Sequence, residues 1–191
     1  MLITIILAYL LLVLYFVVER LLRKGKQALS LQPGQFDRGS SRLIWSIGLL
    51  NLLLIFLAPA FNSCGIGYWD NEYIGWIGVF LMLVGLTIRY LAAKTLGKFY
   101  TRTLQIFEGQ QIVEQGLYRL IRHPGYLGTL IMDLGAGLAI NNWAICLAIL
   151  LTGFMPRLYR IYVEEEMLEG IFGEQYRDYS EKTWRLIPFI Y

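Results

Sequence analysis

The sequence predicts an all-α integral membrane protein: five transmembrane helices, a helical hairpin formed by spans four and five, and a cytoplasmic C-terminal cap. Three observations carry this. The chain is 57% hydrophobic and only 16% charged, against roughly 45–50% apolar and about 25% charged in soluble domains. Charge is absent from four tracts, 1–18, 43–69, 73–88 and 134–156. Runs of about 18 or more apolar residues read as membrane helices. The basic residues then fall on one side of the resulting plan. The mean hydropathy of +0.52 agrees. The length of 191 residues fits a single membrane domain, 1–191, with two N-terminal spans and loops in 1–73 and a core in 74–191.

Met1–Val18 lacks a basic n-region, and no small-x-small cleavage site precedes Glu19-Arg20. It therefore reads as a first span with its N-terminus outside, not as a signal peptide. The second span covers about Leu43–Ala60, and the third about Ile74–Ala93 with Arg89 in its last turns. From Pro124 to Pro156 the only charge is Asp133. As one helix that stretch would run about 50 Å, too long for one crossing and short for two. Asn141-Asn142 near its middle is a plausible turn. Spans four and five thus form a tight hairpin, at least one arm of which stops short of the far surface.

Sidedness follows from the basic residues. Segment 19–42 holds Arg20, Arg23, Lys24, Lys26, Arg38 and Arg42; segment 94–126 holds Lys94, Lys98, Arg102, Arg119 and Arg122. The tail holds Arg157, Arg160, Arg177, Lys182 and Arg185. Loops 61–73 and 141–142 hold none. Five spans with the N-terminus outside put every basic residue except Arg89 in the cytoplasmic segments. The hairpin also brings its two polar ends, before Pro124 and after Pro156, to one place.

Several function classes drop out. Cys64 and Cys146 are too few for a disulfide framework. With His123 the sole histidine, no Cys/His metal site is expected. A net charge of +3 gives no nucleic-acid footprint.

The chemistry-bearing candidates crowd the hairpin's ends. Tyr118, Arg119, Arg122, His123, Tyr126 and Gly128 share one short junction. Arg122-His123-Pro124 also suits a plain basic border with proline at a helix start. Gly128 admits close approach to the backbone. Glu164-Glu165-Glu166 is either a solvated face, with Arg160 and Glu164 paired at i,i+4, or a carboxylate group that accepts hydroxyls or holds a cation. Arg89 either snorkels to the interface or serves a buried anion. Asp133 either partners an arginine or acts as a base. Asn51 is expected to bridge helices. Residues 157–172 continue as a helix with Leu158, Ile161, Leu168 and Phe172 on its apolar flank. Tyr176, Tyr179, Trp184 and the closing Arg185-Leu186-Ile187-Pro188-Phe189 read most simply as an aromatic interface belt.

The run Gly116-Leu117-Tyr118-Arg119-Leu120-Ile121-Arg122-His123-Pro124-Gly125-Tyr126-Leu127-Gly128 resembles the GxYxxxRHPxYxG motif of the isoprenylcysteine carboxyl methyltransferase family. That family sits in a membrane-embedded superfamily that also includes phospholipid N-methyltransferases. Arg160-Ile161, Glu164-Glu165 and Leu168 look like its RIxxEExxL; Phe172-Gly173, Tyr176 and Tyr179 look like its FGxxYxxY. Leu186-Ile187-Pro188 resembles its closing LIP, and Arg89 with Leu96-Gly97 and Phe99 its R…LGxxF. The resemblance covers about residue 85 to the C-terminus and makes 74–191 the catalytic core.

It implies an S-adenosylmethionine-dependent methyltransferase acting at the cytoplasmic membrane border. By position, His123, Pro124, Tyr126, Gly128, Glu164 and Glu165 would line the cofactor site, supported by Tyr118 and Arg122. Arg89 and Arg160 would face the substrate's carboxylate, and Leu168, Tyr176 and Tyr179 would close the cap. No metal is implied. The acceptor would be a lipid or prenylated molecule, most simply a prenylcysteine carboxylate. The membrane would be the inner membrane of a prokaryote or the endoplasmic reticulum of a eukaryote. Asp133 keeps a second acceptor open, an amine as in phospholipid N-methylation. Sterol reductases that use NADPH are related, but the small size argues against them. A scaffold or small transporter is the non-enzymatic alternative; no inverted repeats support it.

Overall fold

In the computed structural model, residues 2–23, 34, 36–106 and 109–191 are described. Lys24 and Lys26 of the basic set lie outside them. The elements are α1 (Leu2–Leu22), α2 (Ser40–Ser63), α3 (Glu72–Leu96), α4 (Pro124–Ala139), α5 (Trp143–Phe172) and α6 (Glu174–Glu181), with short 3₁₀ turns at Gly97–Phe99 and Gly116–Arg119. The chain is an all-α multi-pass membrane protein. Helices α1, α2, α3 with its 3₁₀ extension, and α5 are long and apolar enough to cross a membrane. Helix α4 has 16 residues, or about 24 Å, short of a hydrocarbon core of about 30 Å.

The helix ends are written into the sequence. Asn71 caps α3 by accepting from the Tyr73 and Ile74 amides, and Asn142 caps α5 by accepting from Ile145. Both satisfy amide donors a helix start leaves free. Pro124 opens α4, where its missing N–H costs nothing. Gly97 and Gly173 end α3 and α5 at positive φ, a conformation glycine takes without a Cβ clash.

Packing of α3 on α4 is backbone against backbone. A Cβ on Gly78 would stand 2.6 Å from the Gly135 carbonyl oxygen, and one on Gly128 would stand 2.7 Å from that of Gly85. These glycines line the facing stripes of the two helices. Lipid supplies no hydrophobic drive between helices, so close van der Waals approach of small residues must hold them. Around this seam Ala8 and Leu11 of α1, Ile55 and Ala58 of α2, Val79, Met82 and Leu86 of α3, and Met132, Ala136 and Ile149 of the hairpin form one core. Asn51 bridges α2 to α5, donating to the Ile149 carbonyl and accepting from Thr152.

The turn falls at Asn141-Asn142. Asn141 takes positive φ, which asparagine tolerates better than most residues. Asn142 donates to Asn62 and to the Ile66 carbonyl, and Asn62 donates to the Ile140 carbonyl. The apolar loop after α2 is thereby tied to the hairpin's far end. The opposite ends of α1 to α5 carry the interhelical ion pairs.

Candidate active site

Four charge clusters stand at that end. The first locks the hairpin to the cap. The chain runs from the 3₁₀ turn into α4 through Arg122 and His123. Their amides donate to the Trp184 and Arg185 carbonyls, and Trp184 donates back to Leu120. This backbone pairing fixes two side chains against Glu165 of α5. Arg122 Nε donates to Glu165 Oε1 at 2.8 Å, and His123 Nε2 stands 3.2 Å from the same oxygen. Arg185 Nε takes Oε2 at 2.8 Å. Arg122 Nη1 also donates to the Ser180 and Thr183 carbonyls. Glu165 is buried and ringed by Arg122, His123 and Arg185 from two parts of the chain.

The second cluster joins α4 to α5 and α2. Tyr126 Oη donates to Glu164 Oε2 at 2.8 Å and accepts from Arg160 Nε at 3.3 Å. Arg160 Nη1 donates to Asp37 Oδ1 at 2.7 Å and to the hydroxyls of Ser40 and Ser41. Asp37 also caps α2 through the Ser41 amide. Burial pushes the Asp37 carboxyl up, but hydrogen bonds from Ser41 and the pairing with Arg160 outweigh it and hold the group below its ordinary value.

The third cluster ties α1 to α3. Arg89 donates to Glu19 from both Nε (2.9 Å) and Nη2 (3.4 Å), and Tyr100 Oη donates to the same carboxylate at 2.5 Å. Arg23 pairs with Glu19 from below, and both arginines stack over the Tyr100 ring. The fourth is Asp133 of α4 with Arg157 of α5 at 2.7 Å. A lone intramembrane carboxylate would be costly; the pair neutralises it.

One cavity of about 400 Å³ joins these clusters. Tyr118, Arg122, His123, Tyr126, Glu164, Tyr176 and Tyr179 line one part, Arg89, Glu19 and Tyr100 another, and Leu12, Phe16, Trp45, Leu49 and Leu52 of α1 and α2 an apolar wall. The size is typical of small-molecule sites. Burial pushes the phenols of Tyr118, Tyr176 and Tyr179 well above their ordinary range, so they remain hydrogen-bond donors. The Tyr176 hydroxyl is buried in the cavity wall with no partner among the described residues.

The sequence expectations fare unevenly here. His123, Tyr126 and Glu164 do meet, with Tyr118 and Arg122 beside them. Pro124, Gly128 and Glu165 are not on the cavity wall. Gly128 turns its open face to α3, where Gly85 and Arg89 abut it, and Glu165 works behind the wall. Tyr176 and Tyr179 are no interface belt: both are buried, packed edge to face, and Tyr179 donates to the Tyr118 carbonyl. Leu186 is also fully buried; Trp184 and Phe189 stay exposed, as a belt requires. Glu166 keeps to the outside and pairs with Arg38, whereas Glu165 does not belong to a solvated face. Arg160 contacts Tyr126 and Asp37 rather than forming the expected i,i+4 pair with Glu164. Arg89 does not snorkel; it is buried against a carboxylate. Asp133 takes the arginine-partner alternative.

Sequence reasoning missed Glu19 and Asp37. A signal existed for Glu19: it is the only acid before Asp37 and closes an otherwise charge-free span among basic neighbours.

Comparison with known proteins extends the picture. A model of the isoprenylcysteine carboxyl methyltransferase family matches residues 76–170. The chain is 34% identical over 125 residues to a probable protein-S-isoprenylcysteine O-methyltransferase of Oryza sativa subsp. indica, covering 64% of each chain. It is 31% identical over 152 residues to protein-S-isoprenylcysteine O-methyltransferase A of Arabidopsis thaliana, covering 76% of this chain and 74% of that one. Among solved structures it resembles a eukaryotic intramembrane Ras methyltransferase, an isoprenylcysteine carboxyl methyltransferase. The TM-score is 0.62 at 28% identity, over 75% of this chain and 51% of the other. The match thus spans under two thirds of the rice relative and about half of the solved chain.

Proposed function

The chain belongs to the isoprenylcysteine carboxyl methyltransferase family, and from that premise we propose that it is an S-adenosylmethionine-dependent methyltransferase acting on a lipid-linked carboxylate, most simply a prenylcysteine. The observation that carries the reading is one cavity joining the His123–Tyr126–Glu164 group, the Arg89 cluster and an apolar wall that includes the exposed side chains of Phe16, Trp45 and Leu49. A polar donor and a lipid-bearing acceptor need such a shared space.

The residues present fit the cofactor. The Glu164 carboxylate is an acceptor for hydroxyl or amino groups, the orphaned Tyr176 hydroxyl is an unused donor, and the tyrosine rings give flat apolar surface. When bound, S-adenosylmethionine supplies an electrophilic methyl group on a sulfonium. Tyr126 and Glu164, with His123, Tyr118 and Arg122 beside them, would hold it. Glu165 supports them from behind by fixing Arg122 and His123. Pro124 and Gly128 act through the backbone, by starting α4 and seating it on α3.

The acceptor carboxylate is already an anion near neutral pH, so transfer needs no general base. It needs orientation and partial desolvation, and positioning of this kind supplies up to roughly 7–11 kcal/mol. Glu19 holds the Nε edge of Arg89 and leaves Nη1, beside Gly125, to meet the substrate. Arg160 serves as a positioning residue, holding the Tyr126 hydroxyl and the start of α2. The salt bridge between Asp133 and Arg157 disfavours the amine reading, because it occupies the carboxylate an amine acceptor would use.

We count α4 as span four of five membrane segments, with the N-terminus outside and the site facing the cytosol; the basic residues at that end support this. Binding of radiolabelled S-adenosylmethionine to the purified protein, followed by methyl transfer to a prenylcysteine acid, tests the function. Failure to bind would favour a scaffold.

A further inference from the structure

Charge does not balance in the α1–α3 cluster. Glu19 is the one carboxylate among the described residues there, and three guanidiniums surround or approach it: Arg89, Arg23 and Arg102. Glu19 and Arg89 satisfy each other along the Nε edge. Arg23 pairs with the same carboxylate, so the excess charge is shared around Glu19 by Arg89, Arg23 and Arg102. The Arg23 side chain is only 9% exposed, so it is not simply hydrated. Its Nε is buried with no hydrogen-bond partner among the described residues, and the same holds for Nε of Arg102. Both side chains line the cavity.

Arg102 makes no ion pair among the described residues. It stacks over Trp45 of α2 at 5.6 Å, which holds its planar fork at the cavity wall. Burial and the neighbouring charges of Arg23 and Arg20 pull its guanidinium below its ordinary value, yet an arginine stays charged in proteins. A buried donor left unmade is expensive, and more so on a charged group. Two such guanidiniums on the wall of one cavity, with a net positive surplus, mark a place suited to an oxyanion.

We propose that Arg102 and Arg23 form an oxyanion site that anchors the carboxylate of the acceptor, in the cavity that Arg89 also lines. This rests on the carboxyl-methylation reading and deepens it: Arg89, held by Glu19 along its Nε edge, is the orienting contact, and the cluster's surplus charge on Arg23 and Arg102 supplies the affinity for the charge. A phospholipid phosphate offers the same chemistry at the same border, so the test must separate the two sources.

The measurement is equilibrium binding of a radiolabelled N-acetyl prenylcysteine acid and of its neutral carboxamide, with the intact protein in a maltoside detergent that carries no phosphate. Wild type should prefer the acid by about tenfold or more, as a charge-assisted contact demands. Arg102→Gln should cut that preference to about twofold, the acid losing far more affinity than the carboxamide, with an unchanged thermal unfolding profile showing that the variant is folded. Arg102→Lys keeps the charge without the fork and should fall between. An unchanged preference in Arg102→Gln, or no preference in wild type, overturns the anchor. So does an effect that appears only in phosphatidylcholine nanodiscs, which would make the occupant a lipid phosphate. A wild type that prefers the acid but transfers no methyl group refutes the functional reading and leaves the anchor standing.

Discussion

Replacing Glu165 by Gln tests whether the site is held from behind. The amide keeps the shape and loses the charge that Arg122, His123 and Arg185 share. Removing one partner of a buried ion pair costs about 3–5 kcal/mol, because the other charge is stranded. Two features push the cost to the low end. Arg122 keeps its bonds to the Ser180 and Thr183 carbonyls, and the Arg185 side chain, 38% exposed, can turn to water. The expected loss is about 3 kcal/mol, more than a hundredfold in the folded-to-unfolded ratio. The assay is unfolding in detergent micelles followed by the tyrosine and tryptophan signal, with S-adenosylmethionine binding measured well below the transition. Binding should weaken at least about tenfold, or roughly 1.4 kcal/mol, in Glu165→Gln and Glu165→Ala alike, since His123 and Arg122 lose their anchor. His123→Ala should weaken binding to a similar degree but destabilise less, because it leaves both arginine contacts intact. A Glu165→Gln protein with wild-type stability and binding would refute the argument at its root.

Gly128→Ala should destabilise by about 1–2 kcal/mol despite alanine's helix propensity, because its Cβ would meet the Gly85 carbonyl at 2.7 Å and the Arg89 amide at 2.9 Å; thermal unfolding in micelles checks it. Asp37 has a lowered pKa in the folded state, so its stabilisation is full above the unfolded carboxyl value of about 3.9 and is lost as pH falls below it. Asp37→Asn should therefore be less stable than wild type at pH 7 and show a flatter loss of stability below pH ~4. Arg89→Lys should impair methyl transfer strongly with cofactor binding nearly intact, since lysine lacks the fork that serves Glu19 and the substrate together; full activity on the acid would remove the reason for preferring carboxyl methylation. For topology, membrane-impermeant labelling from outside should reach Cys64, which is exposed, and miss a Gln110→Cys variant; labelling at 110 would reverse the plan.

What the sequence discloses and what it hides divide along physical lines. Span positions were legible because a bilayer imposes length and excludes charge on each segment separately. Asn141-Asn142 stood out as a turn because 33 apolar residues fit neither one crossing nor two full ones. The meeting of His123 and Tyr126 with Glu164 and Glu165 follows from that same hairpin, since its two polar ends must be neighbours. The partners of Arg89 and Arg160 were not legible. Glu19 and Asp37 lie 70 and 123 residues away in sequence, in segments where the family resemblance does not reach, and no local pattern pairs charges across helices. The consequence is chemical as well as structural. An arginine read from sequence as waiting for a substrate carboxylate already holds an internal one, so its identity alone does not locate the acceptor. What locates it is the charge left over after the internal pairs are made, and at the end of α1 one carboxylate serves Arg89 and Arg23 while Arg102 makes no ion pair among the described residues.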